Sequence, residues 1–234
     1  MSDVKTLRFN GADSTTSLSA LLWKPKNATS LLLFAHGAGA DMRHRFMENM
    51  ARQLALHGIA TLRYQFPYTE KGLKRPDAKP ILLATVRAAV ECAHEWCDGL
   101  PLFAGGKSMG GRMTSLAASE EPLPNVRGIV FFGFPLHPAG APSSERAEHL
   151  SKVKVPLLFL QGTRDALADV ALVKSVYKKL GRRATLHVVA EADHSFHVPT
   201  RTGKTDEDVL VELAERVREW AAACGGQAAE LSTK

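Results

Sequence analysis

The chain has 234 residues, 45% of them apolar and 23% charged, with 18 Gly and 12 Pro. These proportions exclude collagen-like, disordered and coiled-coil chains, and the length suffices for one large core. Lys and Arg number 30 against 24 Asp and Glu, a formal charge of +6, but no run reaches five like charges and no zinc-finger, RRM or basic-zipper pattern occurs. A nucleic-acid partner is not expected. No apolar run approaches the roughly 20 residues of a membrane span, and the polar start of the chain has no signal-peptide core. The three cysteines at 92, 97 and 224 fit no disulfide or zinc spacing and point to a reducing cytoplasm. No metal or cofactor is implied.

In chain order, two short apolar runs (4–9 and 18–23) flank the turn-rich Asn10-Gly11-Ala12-Asp13 and read as a hairpin. Six further strand-like runs follow, at 30–36, 59–66, 101–105, 126–132, 155–161 and 184–190. Between them lie helical stretches. Leu82, Val86, Ala89, Ala93 and Trp96 recur on one helix face, as do Leu210, Leu213, Val217 and Trp220. Asp206, Glu207 and Asp208 complement the N-terminal dipole of the last helix. Gly58, Gly181 and Gly225 fall where helix C-caps are expected. Strands that are apolar throughout, separated by helices, predict a parallel sheet covered on both faces. The expected fold is α/β: one domain over 1–234, core about 4–223, with an eight-stranded, mostly parallel, doubly wound sheet, an antiparallel N-terminal hairpin and a short polar C-terminal tail.

The fifth strand runs into Gly106-Lys107-Ser108-Met109-Gly110, followed by a helical stretch. This is G-x-S-x-G at a strand-to-helix turn, where small flanking residues let the serine sit on a tight elbow. A phosphate-binding loop ending in Gly106-Lys107-Ser108 would need glycine at 101, which is Pro101. A nucleophilic serine needs a base and a group to orient it. Asp165 follows the seventh strand and His194 the eighth, in the order Ser–Asp–His. Asp169, Asp193 and His197 compete for these roles, less favourably placed by their distance from the strand ends or by adjacency to His194. After the third strand comes His36-Gly37-Ala38-Gly39, a small-residue loop suited to an oxyanion donor at Ala38, with Met109 supplying the second N–H.

These motifs resemble the α/β-hydrolase superfamily, in particular its small dienelactone-hydrolase-like members, over residues 4 to about 223. His36-Gly37-Ala38-Gly39-Ala40-Asp41-Met42, Gly105 to Gly111 and Asp193-His194-Ser195-Phe196 are also similar to a subgroup of small bacterial hydrolases and to a scaffold subunit of an animal histone-acetyltransferase complex. The resemblance implies a cofactor-free hydrolase with Ser108 as nucleophile, His194 as base and Asp165 as its orienter. Dienelactone hydrolases proper carry cysteine where this chain has Ser108.

The expected activity is therefore hydrolysis of small carboxylic esters or thioesters by a monomer or homodimer, the alternative being a non-catalytic interaction module on the same fold. The segment 133–154 is too short to be an inserted lid, which predicts an open pocket without interfacial activation, unless 68–79 forms a lid instead. Activity is expected to rise with pH through one histidine-like ionisation and then level off. Loop cations, with Arg43, Tyr68 and Arg112 as substrate contacts, are expected to favour anionic substrates.

Overall fold

The computed structural model describes residues 4–11 and 16–231, with the side chains of the last helix described to Cys224. Eight strands are present: β1 (Lys5–Asn10), β2 (Ser17–Trp23), β3 (Ser30–Ala35), β4 (Ile59–Tyr64), β5 (Leu102–Lys107), β6 (Val126–Phe132), β7 (Leu157–Gly162) and β8 (Ala184–Val189). They form one sheet in the order β1-β2-β4-β3-β5-β6-β7-β8. The β1–β2 and β2–β4 pairs are antiparallel and all others parallel. Ala12 and Asp13 of the expected hairpin turn lie outside the described residues, but the Gly11 N–H donates to the Thr16 carbonyl at 2.7 Å across it.

Side-chain alternation along the buried strands feeds two cores. Leu31, Leu33 and Ala35 of β3 face one layer, formed with α3 (Lys79–Trp96), α4 (Met109–Glu120) and α5 (Val170–Leu180). Leu32 and Phe34 face the other, formed with α1 (Arg45–Leu56) and α6 (Asp206–Leu231). Apolar runs without polar alternation are what a sheet buried on both sides requires. α6 starts with a reciprocal cap: the Thr205 N–H donates to Asp208 at 2.7 Å, and the Asp208 N–H returns to the Thr205 hydroxyl at 3.1 Å.

Two expectations about the chain's layout are corrected. β5 extends two residues further, to Lys107, because Gly105 and Gly106 still pair with Phe34 and Ala35 on one side and Val130 and Phe131 on the other. Gly225 does not cap the last helix. α6 continues through it to Leu231, carried by the helix-forming Gln-Ala-Ala-Glu-Leu run at its end. Gly58 and Gly181 do terminate α1 and α5, with φ of 75° and 61°.

The sheet order positions the site. From β3 the chain moves outward to β4, then crosses back to lay β5 on the other side of β3, so the loops after β3 and β5 flank the topological switch point. The loops after β6, β7 and β8 emerge at the same edge. Between β6 and β7 the described residues form only a 3-10 helix, Glu145–Lys152, and after β4 the one-turn helix α2 (Pro67–Glu70) precedes α3. No helix among the described residues is long and apolar enough to cross a membrane.

Candidate active site

Ser108 sits between β5 and α4 with φ 50° and ψ −116°, a backbone state that costs energy for a side-chain-bearing residue and needs support on both sides. The flanking glycines supply it. A Cβ on Gly106 would lie 2.4 Å from the Ala35 carbonyl oxygen, and one on Gly110 would lie 2.5 Å from the same atom. The turn can therefore nest against β3 only if both positions lack side chains. The Ser108 N–H donates to the Phe132 carbonyl at 3.1 Å, tying the elbow to the end of β6.

His194 bridges to Ser108 and Asp165. Its Nε2 lies 2.9 Å from Ser108 Oγ and its Nδ1 lies 2.7 Å from Asp165 Oδ2. Asp165 is buried at 6% exposure, and a carboxylate only accepts. The proton on the imidazole therefore belongs at Nδ1, leaving Nε2 to accept from the serine hydroxyl. Asp165 is held by two more donors, Gln161 Nε2 at 2.5 Å and the Leu167 N–H at 2.8 Å. Gln161 in turn accepts the Phe134 N–H at 3.0 Å, which links the carboxylate to the loop after β6.

The competing residues have other partners. Asp169 caps α5, accepting the N–H groups of Ala171 and Leu172 at 2.9 and 3.0 Å. Asp193 closes the turn around His194 by accepting from the Ser195 and His197 N–H groups at 2.7 and 3.0 Å. His197 pairs with Asp206 at 3.0 Å, away from Ser108.

Ala38 and Met109 lie on the two loops that meet at the switch point. Neither N–H is taken by an acceptor among the described residues. The Ala38 loop is braced from beneath by His36, which is fully buried. His36 Nδ1 donates to the Gly37 carbonyl at 2.9 Å, and Nε2 accepts from the Phe66 N–H at 3.4 Å. Burial pushes the His36 pKa down to about 4, so the ring is neutral and can donate at one nitrogen while accepting at the other.

The three expected substrate contacts separate. Tyr68 is 1% exposed, its ring stacked on Phe66 and its hydroxyl 3.4 Å from the Gly37 carbonyl. This corrects its expected role as a substrate contact: α2 turns the ring inward, where it supports the Ala38 loop. Arg43 is exposed on the rim of an open depression of about 370 Å³, shared with Gly39, His44, Thr69 and Lys74. Arg112 is half-buried one turn after Ser108. Lys107 and Gln161 were not foreseen as partners of the histidine and carboxylate. For Gln161 a signal was present, a lone polar residue inside the apolar β7 run Leu-Leu-Phe-Leu-Gln-Gly.

An alpha/beta hydrolase domain family model matches residues 28–222. The chain belongs to the alpha/beta-hydrolase family. Among solved structures it is similar to a dienelactone hydrolase from Anabaena variabilis, with 23% identity, TM-score 0.74, and coverage of 93% of this chain and 96% of that one. A lidless a/b serine hydrolase from Xanthomonas campestris aligns at 20% identity and TM-score 0.71, covering 94% and 96%. An esterase domain from a Rhodothermus marinus protein aligns at 18% identity and TM-score 0.70, covering 94% and 98%. At these identities the neighbours establish the alpha/beta-hydrolase fold.

Proposed function

We propose that this alpha/beta-hydrolase family member is a serine hydrolase that cleaves small carboxylic ester or thioester bonds through an acyl-enzyme. The observation that carries this reading is the His194 ring, bonded on one side to the Asp165 carboxylate and on the other to the Ser108 hydroxyl. In this reading Ser108 Oγ attacks the carbonyl carbon as its proton passes to His194 Nε2, giving a tetrahedral oxyanion. The free N–H groups of Ala38 and Met109 receive that oxyanion, the second reinforced by the N-terminal end of α4. Collapse expels the alcohol or thiol, which takes the proton from His194. Water then attacks the acyl-serine with His194 as base, and the acid leaves as Ser108 recovers its proton. Asp165 holds the ring's tautomer and offsets the charge of the transient imidazolium.

The lidless neighbour from Xanthomonas campestris and the short segment between β6 and β7 support an open cleft suited to small esters. The test is hydrolysis of 4-nitrophenyl acetate and butyrate, and of a short acyl thioester, by wild type and Ser108→Ala. The proposal expects turnover that disappears in the variant. Equal rates in two equally folded proteins would assign the residual activity elsewhere and return the chain to the class of interaction modules.

A further inference from the structure

Ala38 lies on an arc that joins β3 to α1. Gly37 and Met42, at its two ends, are buried, while residues 38–41 between them reach the surface. A Cβ added to Gly39 would meet no atom within 4 Å, and the arc walls the open depression of about 370 Å³. The position of the Ala38 N–H therefore depends on how the two buried ends are held. At the first, the Gly37 carbonyl takes the His36 ring and the Tyr68 hydroxyl. The second end, Met42, is held from β4.

β4 alternates along its length. Ala60, Leu62 and Tyr64 enter the core under α3 and α4, so Arg63 points to the opposite face, in register with Phe34 under α1. Gln65, two residues on, has its N–H bonded to the Ser19 carbonyl at 2.9 Å, which fixes the backbone from which its side chain starts. The two side chains reach the same residue. Arg63 Nη1 donates to the Met42 carbonyl at 3.0 Å, and Gln65 Oε1 accepts the Met42 N–H at 3.2 Å. Gln65 Oε1 also lies 3.0 Å from the Thr69 hydroxyl, which is 3.2 Å from His36 Nε2. One polar chain thus joins both ends of the arc.

Arg63 is costly where it stands. It is 2% exposed and its Nε has no hydrogen-bond partner among the described residues. Nor does it join any of the ion pairs found among them. Burial lowers its pKa, with Glu48 opposing and Arg43 adding to the shift. A buried guanidinium without a carboxylate is less favourable to a fold than an apolar side chain of similar volume. What it supplies in return is a directional, charge-assisted bond to one carbonyl.

We propose that Arg63 and Gln65 are positioning residues for the oxyanion hole, fixing both backbone groups of Met42 and so holding the Ala38 N–H in place for a developing oxyanion. This assignment rests on the hydrolase reading. Neither side chain touches the substrate; each acts through the arc. Loosening the arc therefore weakens binding of a tetrahedral oxyanion and leaves binding of a planar carbonyl compound nearly unchanged.

The experiment compares two competitive inhibitors of 4-nitrophenyl acetate hydrolysis, phenethyl trifluoromethyl ketone and phenethyl methyl ketone. Ser108 Oγ adds reversibly to the first as its proton passes to His194 Nε2, leaving a hemiketal oxyanion in the hole; the second binds without adding. Gln65→Leu and Arg63→Met should each raise the inhibition constant of the trifluoromethyl ketone about ten-fold and lower kcat about as much. KM and the constant for the methyl ketone should stay within about two-fold of wild type. Gln65→Glu, which keeps an acceptor for the Met42 N–H, should recover most of the loss. Gln65 is half-buried, so Gln65→Leu carries the test where Arg63→Met does not fold by circular dichroism. Equal weakening of both ketones in Gln65→Leu, no recovery in Gln65→Glu, or a lower Tm with kcat and both constants unchanged would overturn the assignment. Failure of the hydrolase reading would show separately, as ester turnover indifferent to Ser108.

Discussion

Lys107, the residue immediately before Ser108, donates from Nζ to the His194 carbonyl oxygen at 2.5 Å. The ammonium lies 5.6 Å from the Phe46 ring centre and 5.4 Å from that of Phe196, within reach of cation–π attraction. The elbow and the histidine loop, at opposite ends of the sequence's catalytic order, are thereby fastened to each other.

Burial pushes the Lys107 pKa down to about 8, with Asp165 and Asp193 opposing the shift. Above that pH the ammonium loses its charge and its grip on the His194 loop weakens. The rate should therefore fall on an alkaline limb near pH 8 rather than level off. Lys107→Met should lower kcat about ten-fold at neutral pH, the cost of one charge-assisted bond, and lack that limb. Lys107→Arg should also lack it, since a guanidinium stays charged. Profiles of kcat against pH for the three proteins check this; a wild-type plateau through pH 10 contradicts it.

Asp165→Asn should reduce kcat about a thousand-fold or more, because an amide at that place no longer holds the Nδ1 proton as a carboxylate does. Gln161→Leu removes one donor from Asp165 and leaves the Phe134 N–H without its acceptor. A loss of about ten-fold, with a small fall in Tm, is expected there. Steady-state rates on 4-nitrophenyl acetate read both.

His36 gives the fold a sensitivity to acid. Its folded pKa of about 4 lies below the roughly 6.5 of an unfolded histidine. Between these values the unfolded chain binds a proton that the native state refuses, so stability is full above about pH 6.5 and is lost as pH falls toward 4. From pH 6.5 to 5, where ordinary carboxylates remain ionised, His36 alone should cost about 2 kcal/mol. His149, pushed down to about 4 by burial and the charge of Arg112, acts in the same direction, and solvent screening reduces what it adds to stability because its ring is only partly buried. Urea unfolding at pH 7, 6 and 5 measures the slope; a flat profile would contradict the buried, neutral ring.

Among the described residues only a 3-10 helix lies between β6 and β7, and after β4 a single helical turn precedes α3, so no inserted lid domain occupies either segment. Rates on 4-nitrophenyl butyrate should vary smoothly through its solubility limit. A sharp rise there would indicate a covering segment.

What could be read in advance follows a physical division. Ser108, Asp165 and His194 were legible because each follows a strand, and parallel strands deliver their C-terminal ends to one edge. The glycines of the elbow were legible because backbone geometry restricts the residue type locally. Lys107 stood in the same motif, but its partner is 87 residues away, and only the folded sheet brings them together. Arg112 was expected as a substrate contact from its place one turn after Ser108, but only the folded chain shows that its Nε is buried without a hydrogen-bond partner among the described residues. Tyr68 was misplaced because a four-residue helix decides whether its ring faces the cleft or the core, and periodicity cannot be read over so short a span. The run past Gly225 was misread because a glycine near a helix end reads equally as a cap or as a tolerated interior residue.

The central claim is that Ser108 is a nucleophile activated by His194. It is tested most directly by reaction with a fluorophosphonate, followed by mass spectrometric mapping of the modified peptide. A single adduct on Ser108 is expected in the wild type, its formation slowed by orders of magnitude in His194→Ala and absent in Ser108→Ala. An adduct at another residue, or equally little reaction by folded wild type and Ser108→Ala, would contradict it.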